Sequence, residues 1–354
     1  MRRTLAIVAG ACVLVAVWFW LLNPSRPDRW AVPSDALGET RHILVHLPDG
    51  YVTSSRTYPL VVLLDGGDRR QHSADVPLYS RSVAALATLE RDGLAPMILV
   101  GIENRNRVHD MTPVERPDLY VGGGGALAFL RFIETELVPF VEARWRVGPT
   151  RILYGESYGG LFVLDAFARG RRAFSDYIAV SPTVGVWPEG LAAALRQRMS
   201  ADTSRATRAG DAYPTSSMFI IYGEKDAPLV TDHMPSIARL IESERPAALR
   251  FGVEILPRAG HNPPESLERG LRFVLEARKG HASVSPFGGR GSLEVDLLCA
   301  DARVAVELDG AQLRPRVRSP AVTLEQGPQG QRTQVMFTWA RRQHRATRSC
   351  VLSS

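Results

Sequence analysis

Between residues 41 and 277 the chain repeats one unit, a short apolar run of strand length followed by a longer stretch with helical spacing. The apolar runs fall at 41–48, 59–64, 97–102, 151–154, 177–180, 218–222 and 251–256, and the helical stretches lie near 82–89, 127–145, 161–168, 231–244 and 267–277. The first run alternates, as a half-buried strand does, whereas 59–64 is apolar throughout, as a strand covered on both faces must be. Repeated strand–helix alternation closes into a mainly parallel sheet flanked by helices, an α/β class. Ligands of such sheets bind beyond the carboxyl ends of the strands, so the chemistry is to be sought just after each apolar run.

One such place stands out. Gly155-Glu156-Ser157-Tyr158-Gly159-Gly160 follows the run 151–154 directly and precedes Leu161-Phe162-Val163-Leu164. A serine on a tight strand-to-helix turn, with small residues two places to either side, is the nucleophile elbow of the α/β-hydrolase fold. The elbow lifts the hydroxyl above the sheet and aims the next amide, that of Tyr158, at a developing oxyanion. In this fold the acid and then the base follow the serine in sequence. His261, in Ala259-Gly260-His261-Asn262-Pro263, lies just past the run 251–256 and is the expected base; His233 falls in a helical stretch, and His281 and His344 lie in the C-terminal part. The acid is expected at Asp226, in the loop after 218–222, with Glu224 its main rival and Asp232 a weaker one. Gly66 and Gly67, after the run 59–64, fit a second oxyanion donor, because glycine lets the backbone approach a substrate oxygen closely. Arg107, with Arg105 beside it, follows the run 97–102 at the same end of the sheet and is expected to bind an anionic or polyhydroxylated acyl group.

The two ends of the chain read differently from this body. Arg2 and Arg3 open an unbroken apolar or small run over residues 4–22. Those nineteen residues, at about 1.5 Å each, would span roughly 28 Å of hydrocarbon. The expectation is an uncleaved transmembrane anchor over 1–23 that holds the catalytic body on the periplasmic or extracytoplasmic face of an inner membrane. A linker over 24–35 and a catalytic domain over 36–280 follow. The formal charge of +6 includes +4 from residues 281–354, so the body is near neutral and gives no electrostatic case for nucleic acid. Of the three cysteines, Cys12, Cys299 and Cys350, none lies in the body, so its stability does not depend on disulfides. Residues 281–354 are expected to form a poorly structured extension, with two short strands between 293 and 308.

The ordered set of motifs resembles the esterase family that contains esterase D and the IroE-like siderophore esterases. The resemblance is carried by Tyr58-Pro59 through Asp65-Gly66, by Val100-Gly101-Ile102-Glu103-Asn104 with Arg107, Asp110 and Thr112-Pro113, by Phe132 through Pro139, by the elbow, by Ser181-Pro182 and by Gly260-His261-Asn262. It implies carboxylic-ester hydrolysis by Ser157 and His261, with an acid near Asp226. Where the family often has His before the serine, this chain has Glu156. A second, shorter stretch, 291–312, resembles part of a Vsr-like endonuclease-fold domain, in which Asp296, Glu307 and Asp309 would correspond to metal-binding carboxylates. Leu313 stands where the expected His would be, and no nuclease activity is assigned.

The function expected is therefore a serine carboxylic-ester hydrolase acting through an acyl-enzyme on small, siderophore-type or other esters. Acyl transfer of the mycolyltransferase type and a non-catalytic anchored binding protein are the alternatives. No cofactor and no metal are expected, and the partners are a small-molecule ester and, through the N-terminal segment, a membrane.

Overall fold

The structure is a computed structural model that describes residues 28–67, 78–169, 173–209, 216–246 and 248–276, and, as backbone pairing alone, the strands between 281 and 352. Eight strands form the sheet of the body: β1 (Asp28–Ser34), β2 (Glu39–His46), β3 (Tyr58–Leu63), β4 (Ile98–Ile102), β5 (Val147–Glu156), β6 (Asp176–Val180), β7 (Ser216–Gly223) and β8 (Leu249–Leu256). Their order across the sheet is β1-β2-β4-β3-β5-β6-β7-β8. From β4 to β8 every neighbouring pair is parallel, while β2 lies antiparallel to both β1 and β4. The helices are α1 (Leu78–Arg91), α2 (Arg107–Met111), α3 (Ala126–Phe132), α4 (Val138–Glu142), α5 (Tyr158–Ala168), α6 (Pro188–Ala209), α7 (Pro228–Thr231), α8 (Met234–Glu244) and α9 (Ser266–Glu276). A single π turn, Ile133–Leu137, joins α3 to α4.

The continuous apolar runs are explained by which face each residue serves. In β3, Tyr58, Leu60 and Val62 belong to one core cluster with Phe129, Phe162 and Leu164, while Val61 and Leu63 belong to the other with Leu86, Leu89 and Leu271. Both sides of the strand are dry, so every position has to be apolar. Helix α5 is buried over all but its first residue, which makes it the central element of the first cluster. The helical stretch expected over 231–244 is broken into α7 and α8, with Pro235 in the first turn of α8. That is where a missing N–H costs nothing.

Two expectations are corrected. Residues 24–35 were read as linker, but Asp28–Ser34 is an edge strand paired along its length with β2. Val32, 1% exposed, is the apolar side chain that seats it, and Arg29 holds Glu103 through two hydrogen bonds of 2.8 Å. The C-terminal part was expected to be poorly structured. Instead it carries seven strands, β9 (His281–Pro286), β10 (Ser292–Leu297), β11 (Ala302–Asp309), β12 (Gln312–Pro315), β13 (Val322–Glu325), β14 (Gln334–Arg341) and β15 (His344–Leu352), in a second sheet of order β12-β11-β10-β9-β15-β14-β13. The alternation Leu293, Val295, Leu297 and Val304, Val306, Leu308 has the period a strand requires. The apolar run 4–22 lies outside the described residues, and among the described ones no helix is long and apolar enough to cross a membrane.

Candidate active site

Because β3 to β8 run the same way, the loops after them meet at one edge of the sheet. All five described non-glycine residues with left-handed backbone lie there: Asp65 after β3, Ser157 after β5, Ser181 after β6, and Arg258 and Asn262 after β8. Such conformations cost of order 1–3 kcal/mol each and persist only where the surroundings enforce them. Strain is thus concentrated at the edge where the fold places its ligands.

Ser157, at φ 61° and ψ −116°, joins β5 to α5. Its amide donates to Val180 O at 2.9 Å, and its carbonyl accepts from the Leu161 amide at 3.0 Å and the Thr183 amide at 3.3 Å. The small residues around it are steric necessities. A Cβ on Gly155 would stand 2.4 Å from Gly159 O, and one on Gly160 would stand 2.6 Å from Val180 O. Tyr158 opens α5, so its amide has no acceptor within the helix.

Across β6 and β7 the expected acid and base meet. His261 Nδ1 lies 2.5 Å from Asp226 Oδ1, and the Asp226 side chain is fully buried while that of His261 is 35% exposed. Asp226 Oδ1 also accepts the Ala227 amide at 2.7 Å, and Oδ2 accepts the Ser181 hydroxyl at 2.5 Å. Burial works to raise this carboxyl, but the hydrogen bonds from His261 and Ser181 outweigh it and hold Asp226 below the usual carboxylate range. Glu224 is turned elsewhere, its Oε2 accepting the Arg258 amide at 2.8 Å, and Asp232 Oδ1 accepts the Thr231 hydroxyl at 3.2 Å. Between the two candidates on the loop after β7, the geometry selects Asp226.

The Ser181 hydroxyl bridges the two loops that carry this pair. Besides donating to Asp226, its hydroxyl accepts the Asn262 amide at 2.9 Å. It therefore ties the acid loop to the residue that follows His261. Ser181 also follows Val180, whose carbonyl holds the Ser157 amide. The elbow and the acid–base pair are joined through this one strand end. The only signal in the sequence is a small hydroxyl residue directly after a central strand.

Two expected roles change. The Gly66 amide donates to Ile102 O at 2.9 Å, so it is occupied and not available to an oxyanion. Gly66 is glycine because a Cβ there would lie 2.3 Å from Gly101 Cα. Gly67 beside it is also buried. Arg107 does not reach outward for substrate. Its Nε and Nη2 grip Asp65 at 2.6 and 2.9 Å, and Nη2 also donates to Glu156 O at 3.1 Å. Burial disfavours this guanidinium's charge, yet Asp65 more than offsets that and holds the group above its ordinary value. Arg105 is exposed and pairs with Glu39 at 3.1 Å.

Glu156, which directly precedes Ser157 in the chain, is buried. Its Oε1 accepts the Tyr154 hydroxyl at 2.7 Å, and Oε2 lies 3.5 Å from Arg81 Nη2. Burial pushes this carboxyl above its ordinary range, and the Tyr154 hydroxyl and Arg81 only partly oppose the shift. Among the described residues no group of three or more His, Cys, Asp or Glu could hold a metal ion. The side chains of Asp296, Glu307 and Asp309 lie outside the description.

Comparison with known proteins identifies the family and the fold. The model of the family described as "Putative esterase" matches residues 34–262. The ferri-bacillibactin esterase BesA of Bacillus subtilis is 36% identical over 112 residues, 27% of this chain and 39% of its own length. The apo-salmochelin esterase of Escherichia coli is 29% identical over 168 residues, 44% of this chain and 51% of its own length. The chain thus spans about half or less of these curated relatives. The crystal structure of an IroE-like serine hydrolase from Shewanella oneidensis superposes with a TM-score of 0.60 at 26% identity, covering 70% of this chain and 79% of its own.

Proposed function

This chain belongs to the Putative esterase family, and from that premise we propose that it hydrolyses carboxylic esters through an acyl-enzyme on Ser157. The observation that carries the reading is the strained serine at the carboxyl edge of β5, with the Asp226–His261 pair fixed to the neighbouring strand ends. With Nδ1 engaged by Asp226, His261 has Nε2 left to take the Ser157 proton as Oγ attacks the ester carbonyl. The oxyanion that forms would be met by the Tyr158 amide, aided by the N-terminus of α5, and by the Gly67 amide. His261 returns the proton to the leaving alcohol, and water then attacks the acyl-enzyme with His261 again as base. Asp226 orients the imidazole and stabilises its charged form without taking the proton.

For the substrate class we propose siderophore-type esters, because several relatives of this chain are named as siderophore esterases. The apolar run 4–22, of membrane-crossing length, supports the further reading that the body is anchored to a membrane on its extracytoplasmic side. The test is hydrolysis of p-nitrophenyl butyrate and of a cyclic trilactone by the full chain and by Ser157→Ala. Turnover by the wild type that vanishes in the variant supports the proposal; equal rates would remove it.

A further inference from the structure

The two amides proposed to meet an oxyanion come from different loops, Gly67 after β3 and Tyr158 after β5. Their separation must be held to a fraction of an ångström if both are to reach one oxygen. Two residues before each of them lies a contact of the same guanidinium: Asp65 precedes Gly67 and Glu156 precedes Tyr158, and Arg107 bonds to both. We infer that Arg107 is a positioning residue that sets the spacing of the two oxyanion donors, clamping the loop after β3 to the nucleophile elbow. The inference rests on the esterase reading above.

Several features point the same way. The grip on Asp65 is bidentate, which fixes direction as well as distance in a way a lysine cannot. Asp65 sits in the left-handed region at φ 58° and needs holding there, and Asn104 Nδ2 donates to Oδ1, the same oxygen that accepts Arg107 Nε. The guanidinium also lies over the ring of Tyr158, 5.4 Å from its centroid. Asp65 is in turn packed against the first turn of α5, since a Cβ on Gly159 would stand 3.4 Å from Asp65 Oδ2. Arg107 itself starts α2, directly after the loop that leaves β4. Three strand ends, of β3, β4 and β5, are thereby locked by one side chain that is only 18% exposed.

The experiment compares Arg107→Lys, Arg107→Ala and Asp65→Asn with the wild-type full chain on p-nitrophenyl butyrate, alongside inhibition by an alkylboronic acid that mimics the tetrahedral intermediate. A clamp predicts that Arg107→Lys loses about ten- to a hundredfold in kcat with KM changed less than about threefold, and that boronate affinity falls in parallel. Millimolar guanidinium should restore part of the activity of Arg107→Ala, and Asp65→Asn should fall between wild type and Arg107→Ala. A rise in KM at constant kcat would put the guanidinium on the substrate and overturn the inference, as would unchanged boronate binding. Should the wild type hydrolyse nothing, the esterase reading fails instead, and the Ser157→Ala control separates the two outcomes.

Discussion

The two flanks of the site solve one problem with different chemistry. On the β3–β4–β5 flank a half-buried ion pair, Arg107 with Asp65, holds loops that must not move. On the β6–β7–β8 flank a neutral hydroxyl, Ser181, holds a carboxylate and the loop beside a histidine that must gain and lose a proton. A fixed cation next to His261 would oppose its charging, whereas a hydroxyl donor leaves the carboxylate's charge available to the imidazolium. The lesson is that one half is tied by an ion pair, whereas the other keeps a single carboxylate for the imidazole and ties it with a hydroxyl that adds no charge of its own.

The sharpest way to break this comparison is to remove the titrating group. His261→Ala should lower kcat by about a thousandfold or more with little change in folding, as read by steady-state kinetics and circular dichroism. Next comes Asp226→Asn. It puts an amide where the Ala227 N–H and the Ser181 hydroxyl both donate, so we expect a loss of about a hundred- to a thousandfold in kcat. Asp226 also contributes stability, because its folded value is depressed. That contribution is present above the ordinary carboxylate value near 4 and is lost as pH falls through the lower folded value, so acid unfolding of the variant should begin at higher pH. Ser181→Ala is smaller. It leaves Asp226 Oδ2 and the Asn262 amide short of a partner, for about 1–3 kcal/mol in denaturant melts and roughly tenfold in kcat.

The smallest effect is predicted at the Glu156 side chain, whose carboxyl takes no part in either clamp although its backbone carbonyl accepts from Arg107. Its folded value is raised, so between the ordinary carboxylate value near 4.5 and that raised value the folded chain holds a proton the unfolded chain has lost. Stability from this group therefore falls as pH rises through the window. The groups that face it are Tyr154, Arg81, Asp65, His261 and Arg107. Glu156→Gln keeps the shape and an acceptor for Tyr154, and should raise the melting temperature by a few degrees at pH 8 but hardly at pH 5. An equal change at both pH values would show that the carboxyl is not titrating in that window.

How much of this could be read beforehand depended on whether backbone sterics or side-chain direction decides the role. The elbow was legible because glycine at 155 and 160 is forced by contacts under 3 Å, and such necessity leaves a pattern in sequence. Asp226 and His261 were legible because parallel strands bring the loops after them to one edge. Arg107 was legible only as a residue of that loop, since no spacing says whether a guanidinium turns out to a ligand or in to Asp65. Gly66 misled for a related reason: glycine is required there for packing on Gly101, not for a free amide. Strand β1 was hidden because an edge segment that is mostly exposed needs only one buried apolar residue, Val32, to be seated.

The most direct test is to trap the acyl-enzyme. The full chain would be treated with a fluorophosphonate, digested, and its peptides weighed by mass spectrometry, with His261→Ala run in parallel. A single adduct on the peptide carrying Ser157, formed far more slowly in the variant, is the predicted result. An unlabelled Ser157 in a folded protein that still hydrolyses the ester, or labelling at some other serine, would contradict the account.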